Sequence, residues 1–384
     1  MRSILREMLR TLGCQRLIEA STGEEALAIL RNRRIDIVVC DYNLGAGLDG
    51  QQLLEQARGE GVVGLATVFI LVTAENSSEM ILGALESLPD EYLAKPFTKD
   101  LLNARLQRAL ARREPLTQVA HALTKQGAPA ALIALDKLLA QPSQRRLDLL
   151  RIQADLALQC GQLDRAAAAC EAALSQRPLA WALVYSGRIA EAKQDFVTAD
   201  AQYRQAIELT PHFMEAHDRL AALCESRERE EEALTLWQQA AQRSPKSVHR
   251  QRRLAKLAQK LDRPDLAEPA WQRVQTLAKQ MHCLTAADYA GEVETLVALG
   301  NLPLAKKRCA ELVTHCRRDP LAPWWFVVAR LHYVHATANE EERTQVLKLL
   351  ETQLAQEKPP SELGQALAAA LTQLGEHSRA SLVV

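Results

Sequence analysis

No uninterrupted apolar run in the 384-residue chain approaches the roughly 18 residues that a membrane-spanning helix needs. The longest candidate, around Trp324-Trp325-Phe326-Val327-Val328, is too short, so no membrane partner is expected. The opening decapeptide MRSILREMLR is charged throughout and lacks the apolar centre of a signal peptide. Charge of one sign is not in excess: 47 Lys and Arg balance 47 Asp and Glu, which points away from DNA or an anionic membrane. Helix-turn-helix, zinc-finger and basic-helix signatures are missing, so no nucleic-acid partner is expected. The eight cysteines form no CxxC pair and no regular framework. They read as reduced, mostly buried thiols of a cytoplasmic protein, without a metal site. None of the nine histidines falls in the first 113 residues. No phosphotransfer histidine, hydrolase constellation or other enzyme motif results.

The stretch Ile35 to Gly50, IDIVVCDYNLGAGLDG, is where chemistry enters. Ile37, Val38, Val39 and Cys40 lead into Asp41, and a Gly-rich turn follows. A continuous apolar run bounded by turn residues suits a parallel strand buried on both faces. The carboxyl end of such a strand is where an open α/β sheet places its chemistry. Asp41 stands there, as a phosphoryl acceptor, a metal ligand or the cap of the next turn. TVFILVTAE (Thr67 to Glu75) reads as a second buried strand ending at Thr73, and DEYLAKPF (Asp90 to Phe97) as a third ending in Lys95-Pro96. Thr73 and Lys95 are 22 residues apart, with Tyr92 between them. Helices are expected at 2–12, stopped by Gly13, from the Ser21-Thr22 cap to about Arg33, at Gly50 to Arg58, near Ser77–Leu88, and at 98–113. A further strand is expected at Gln15 to Ala20. Strands alternating with helices imply a parallel sheet covered on both faces.

Acceptor aspartate, strand-end hydroxyl, aromatic and Lys-Pro, in this order over the first 113 residues, resemble the receiver domain of two-component response regulators. The resemblance implies a flavodoxin-like α/β fold, with Asp41 as phosphorylation site, Lys95 and Thr73 contacting the phosphoryl group, and Tyr92 as switch aromatic. A histidine kinase or phosphotransfer protein would be the donor, and the Lys95-Pro96 bond would be cis. It also implies Mg²⁺ held by Asp41, the backbone carbonyl of Asn43 and an acidic pair. That pair and the strand before it are not in this chain. Glu24, Glu25, Glu75 and Asp90 could substitute, although helix capping or solvent exposure accounts for each. The loop departs from the family too, with Leu44-Gly45 in place of Met-Pro and one extra residue. The missing strand is central in the family's sheet. Its loss removes about five buried apolar side chains, on the order of 10 kcal/mol at roughly 1.5–3 kcal/mol each, against a whole-domain stability of about 5–15 kcal/mol. A receiver with this start is expected to be rearranged, misfolded or completed by something else. The expectation is that the polypeptide begins upstream of Met1, with an apolar strand and Asp-Asp or Glu-Asp, and that Mg²⁺ binds only then.

After Glu114-Pro115 the strand pattern stops, and self-similarity replaces it. Ala166, Ala199, Ala233 and Ala267 are spaced 33, 34 and 34. Four residues on come Cys170, Tyr203, Trp237 and Trp271, and three beyond those Ala173, Ala206, Ala240 and Val274. Pro178, Pro211 and Pro245 close the units. Small residues permit close helix crossing, the large one fills the groove between units, and proline ends the second helix. Trp237 and Trp271 are expected in the core and Glu228–Glu232 as a solvated helix start. The pattern resembles the tetratricopeptide repeat, WALVYSGRIAEAKQDFVTADAQYRQAIELTP being its best copy. An N-terminally truncated receiver at 1–113 followed by an all-α superhelix at 114–384 is the expected architecture. The clearest repeats lie at 147–280, with looser helix pairs at 115–146 and 281–384 and six or seven pairs in all. The resemblance implies a protein partner on the concave face of the repeats. The output would then be protein interaction, with a phosphorylation-independent scaffold, its receiver used for docking or homodimerisation, as the alternative.

Overall fold

Three apolar segments meet side by side: β1 (Ile37–Asp41), β2 (Val68–Thr73) and β3 (Glu91–Ala94) form a parallel sheet in the order β1-β2-β3. Ile37 lies opposite Val68 and Ile70 opposite Glu91. The computed structural model describes residues 2–45, 48–74, 89–142, 145–281, 283–317 and 319–383. Around the sheet run α1 (Arg2–Thr11), α2 (Gly23–Asn32), α3 (Gly50–Gly59) and α4 (Lys99–Arg113). Central β2 is buried from Val68 to Val72, as its unbroken apolar run requires. Leu102, Leu106 and Ala109 of α4 cover one face of the sheet together with Leu5, Met8 and Leu9 of α1. The α3 helix packs against β2, and α2 packs against α3.

The expected helices begin where their caps predict. Thr22 accepts a hydrogen bond from the Glu25 N–H at the start of α2, and Thr98 caps α4 through the Leu101 N–H. The strand expected at Gln15 to Ala20 does not form: residues 14–20 carry no regular structure. A strand exists only by pairing, and among the described residues no backbone pairs with Gln15 to Glu19. The helix expected near Ser77–Leu88 lies outside the described residues, as does Glu75.

From Thr117 onward the described residues contain sixteen helices, α5 to α20 in chain order, where the periodicity pointed to six or seven pairs. The expected pair at 115–146 is α5 (Thr117–Gln126) with the helix Ala128–Leu139, and the C-terminal end carries one more pair, α19 (Ser361–Gln373) and α20 (His377–Val383). The chain divides into two compact units, Met1–Glu228 and Arg229–Val384. In the first, α9 (Ala180–Ala192) and α10 (Phe196–Leu209) form an antiparallel pair joined by a short turn. In the second, α13 (Val248–Lys260), α14 (Pro264–Gln280), α15 (Ala286–Ala298) and α16 (Leu302–His315) do the same twice.

All twelve recurrent positions, from Ala166 to Val274, are buried. Two of the large members, Tyr203 and Trp271, lie against glycine. A Cβ on Gly187 would come within 2.4 Å of the Tyr203 ring, and one on Gly291 within 2.4 Å of Trp271. Each glycine thus lets a ring lie flat on the neighbouring helix. Trp237 and Trp271 are core residues, each 1% exposed, and Glu230, Glu231 and Glu232 form the first turn of α12 (Glu230–Arg243), as expected.

Candidate functional site

Parallel register delivers the expected site residues to one edge of the sheet. Asp41 is the last residue of β1 and faces Val72; Thr73 ends β2 and faces Ala94, the residue before Lys95. The Lys95 ammonium donates to Asp41 Oδ2 at 2.5 Å, with both side chains about three-quarters buried. The Asn43 N–H donates to the other carboxylate oxygen, Oδ1, at 3.2 Å. Gly50 lets α3 start hard against this edge, since a Cβ there would lie 2.4 Å from the Asp41 carbonyl. Its N–H donates to the Tyr42 carbonyl at 2.8 Å, and Asp49 caps the helix with Gln52 in a capping box. The Lys95 N–H donates to the Thr73 carbonyl at 2.7 Å, and the Lys95–Pro96 bond is cis. A carboxylate with one oxygen on a cation and the other near a loop amide is arranged to receive an anionic group whose charge that cation can share.

Tyr92 stands on β3 with its phenol oxygen buried and, among the described residues, without a hydrogen-bond partner. Burial first, and the nearby Tyr42 second, push its pKa up to about 12, with Arg58 opposing. Arg58 is itself lowered to about 10, chiefly by burial and then by Arg113.

The four acidic residues that could replace the missing pair are otherwise engaged or undescribed. Glu24 accepts the Leu48 N–H at 2.8 Å, and Glu25 accepts the Ser21 N–H at 2.6 Å in capping α2. Asp90 is neither a helix cap nor solvent-exposed, against expectation. It accepts the Phe69 N–H at 2.9 Å and the Arg113 Nε–H at 2.6 Å.

Sequence reasoning missed the cluster beside Tyr92. Glu91 is 6% exposed and is met by three arginines of α4: Arg105 at 2.8 Å, Arg112 at 3.3 Å and Arg108 at 3.9 Å. Arg113 also donates to the Leu65 carbonyl at 2.8 Å. The readable signal was an acidic pair opening a strand, followed by arginines at helical spacing.

Residues 1–107 match the response regulator receiver domain family. The chemotaxis protein CheY of Pseudomonas aeruginosa is 32% identical over 112 residues, covering 29% of this chain and 89% of that protein. CheY-3 of Vibrio cholerae is 34% identical over 112 residues, covering 29% and 85%. The chain belongs to the response regulator receiver family. Beyond the receiver, solved structures similar to the chain include a tetratricopeptide repeat protein from Parabacteroides merdae ATCC 43184, at TM-score 0.40 and 15% identity over 67% of this chain and 98% of that one. The crystal structure of MamA gives TM-score 0.34 and 15% identity over 42% and 93%. Likenesses at these scores carry no argument; the helix pairs and their 33–34-residue period are what make the region repeat-like.

Receivers bind Mg²⁺ in an acidic pocket. In this chain Asp41 and the Asn43 carbonyl could supply two of the oxygens that an octahedral Mg²⁺ needs. Among the described residues no three acidic, histidine or cysteine side chains gather to hold a metal. These donors alone do not complete a site for the ion among the described residues. None of the described helices is long and apolar enough to cross a membrane.

Proposed function

We propose that this chain is a response regulator that accepts a phosphoryl group on Asp41 from a histidine kinase or phosphotransfer protein and signals to a protein partner through its helical repeats. The Lys95–Asp41 pair at 2.5 Å, at the carboxyl edge of a parallel sheet, carries this reading. A carboxylate oxygen of Asp41 attacks phosphorus as the bond from phosphorus to the donor histidine breaks, leaving an acyl phosphate and an imidazole. Lys95 then shares its charge with the phosphoryl oxygens, and Thr73 moves in to hydrogen-bond them. Tyr92 follows as the switch aromatic. No substrate is turned over. Residues 1–113 act as the input domain and 114–384 as the output domain, and the protein works in the cytoplasm.

The incomplete metal donor set favours a second reading, a phosphorylation-independent scaffold whose receiver serves docking or homodimerisation. One experiment separates the two. The chain is extended at its N-terminus by an apolar strand ending in Asp-Asp and incubated with labelled acetyl phosphate and Mg²⁺. The extended protein is expected to take label that Asp41→Asn abolishes, and the 384-residue chain at least about tenfold less. No label on the extended, folded protein would establish the scaffold.

A further inference from the structure

One position in α13 departs from the pattern of its buried face. Val248, Leu254, Ala255, Leu257 and Ala258 are buried there, and Gln251 lies among them, 1% exposed. An apolar residue is the ordinary occupant of such a stripe. Gln251 instead brings a carboxamide whose Nε2 is buried and, among the described residues, has no hydrogen-bond partner. A donor left in that state lowers stability, so its persistence calls for an acceptor from outside the chain. Gln251 also lines a cavity of about 180 Å³ between α12, α13 and α14, within the unit Arg229–Val384. Two alanines make the room: Ala241 of α12 and Ala270 of α14, each 3% exposed, line it where longer side chains would fill it. Leu254 and Leu266 give it apolar walls, and Arg273 is the charged residue of its lining. Arg273 is exposed, and among the described residues its guanidinium enters no hydrogen bond or ion pair. Two arginines of α13 differ in this respect, Arg252 being held on Asp288 and Arg250 on Ser244.

We propose that this cavity binds a small aliphatic carboxylate. A space of about 150 Å³ holds one benzene molecule, so 180 Å³ takes roughly six or seven heavy atoms. The aliphatic body lies against Leu254, Leu266, Ala241 and Ala270, where it leaves water. The carboxylate accepts from Gln251 Nε2–H and from the Arg273 guanidinium, which balances its charge. Other small ligands use less of the site. A neutral one makes no use of the Arg273 charge, inorganic phosphate has no apolar body for the walls, and a cation meets Arg273 as a like charge. The cavity uses none of Asp41, Thr73, Tyr92 or Lys95, so the assignment goes beyond the proposed function and does not depend on it.

The test titrates the full chain with 3-methylbutanoate and follows two sets of signals by NMR. One is the backbone amides of Ala241 and Ala270; the other is the Gln251 side-chain amide, recognised as the signal that Gln251→Leu removes. Saturable shifts with a dissociation constant of about 1 mM are expected for a ligand of this size. Gln251→Leu takes away the donor and keeps the bulk of the side chain, so binding should weaken at least about tenfold. Arg273→Gln, on the exposed rim, should weaken it about fivefold and serves if the leucine variant does not fold. Acetate has the charge without the body, and 3-methylbutanol the body without the charge; each should bind at least about tenfold more weakly. Asp41→Asn should bind as the parent chain does. No saturable shift up to about 50 mM, or binding that neither variant weakens, overturns the proposal. So does inorganic phosphate or 3-methylbutanol binding as tightly as the acid, because the cavity would then not be selecting a carboxylate with an apolar body.

Discussion

Tyr92 carries a hydroxyl in surroundings that give it no hydrogen bond among the described residues. A buried polar group without a partner costs about 1–3 kcal/mol, and an apolar replacement of the same shape removes that cost. Tyr92→Phe is therefore expected to leave the melting temperature unchanged or raise it slightly, whereas Tyr92→Ala should destabilise by about 3 kcal/mol through the cavity it leaves. Thermal melts of the two variants check both. Glu292, in α15, poses the opposite problem: it ionises where water is excluded. It is 1% exposed, and burial pushes its pKa up to about 7, although Arg308, at 3.0 Å, acts to lower it. A carboxyl with a raised folded-state pKa binds its proton more tightly folded than unfolded. The stability it contributes is present below about pH 4.5 and is lost as pH rises to about 7. The full loss is on the order of 3 kcal/mol. Denaturant titrations at pH 5 and pH 8 should show stability falling with pH, and Glu292→Gln should flatten that slope.

Between elements, the most consequential contact is that of β3 with α4. Glu91 is held by three arginines on the same face of α4, one residue from Tyr92, so movement of β3 bears directly on the helix that leads into the repeats. Breaking a buried ion pair costs about 3–5 kcal/mol, but these guanidinium groups are 36–54% exposed and can return to water. Glu91→Gln is expected to cost on the order of 2 kcal/mol in thermal unfolding. It should weaken phosphate-dependent partner binding, as Thr73→Ala and Tyr92→Ala should; unaltered binding in all three would exclude this route. The Glu91 cluster was hard to read because it joins residues 14 to 21 positions apart on a strand and a helix, and no local period marks that. Asp41 and Lys95 were legible because apolar runs fix strand ends and strand ends converge. The recurrent alanines were legible because a 34-residue period repeats the same packing problem. Gly187 and Gly291 were not, since their meaning depends on a ring on the neighbouring helix. Gln15 to Ala20 was misread for the converse reason: its pattern suits a strand, but a strand is decided by its neighbour.

At the scale of the molecule, stability is expected to be local to the repeats, because each helix pair buries its face mainly against the next. The fragment 115–384 should then fold without the receiver. Its first helices, however, are not free of the receiver. Leu65 packs against the apolar cluster that contains Val119, Leu132 and Leu150, and Arg145, just before α7 (Arg146–Gln159), donates to the Arg112 carbonyl at the end of α4. Removing residues 1–114 strips both contacts, and α5 has a single buried residue, Val119, with which to hold on. Within the second unit, Ala286, Val293, Leu312, Val327, Leu350 and Leu367 belong to one continuous apolar core. The fragment is therefore expected to give a strongly helical circular-dichroism spectrum and a cooperative melt. Amide exchange should be fast over α5, and protection from Arg229 onward should equal that in the full chain. A disordered spectrum would show that the receiver is part of the repeats' folding unit, as would loss of protection at Val293 and Val327.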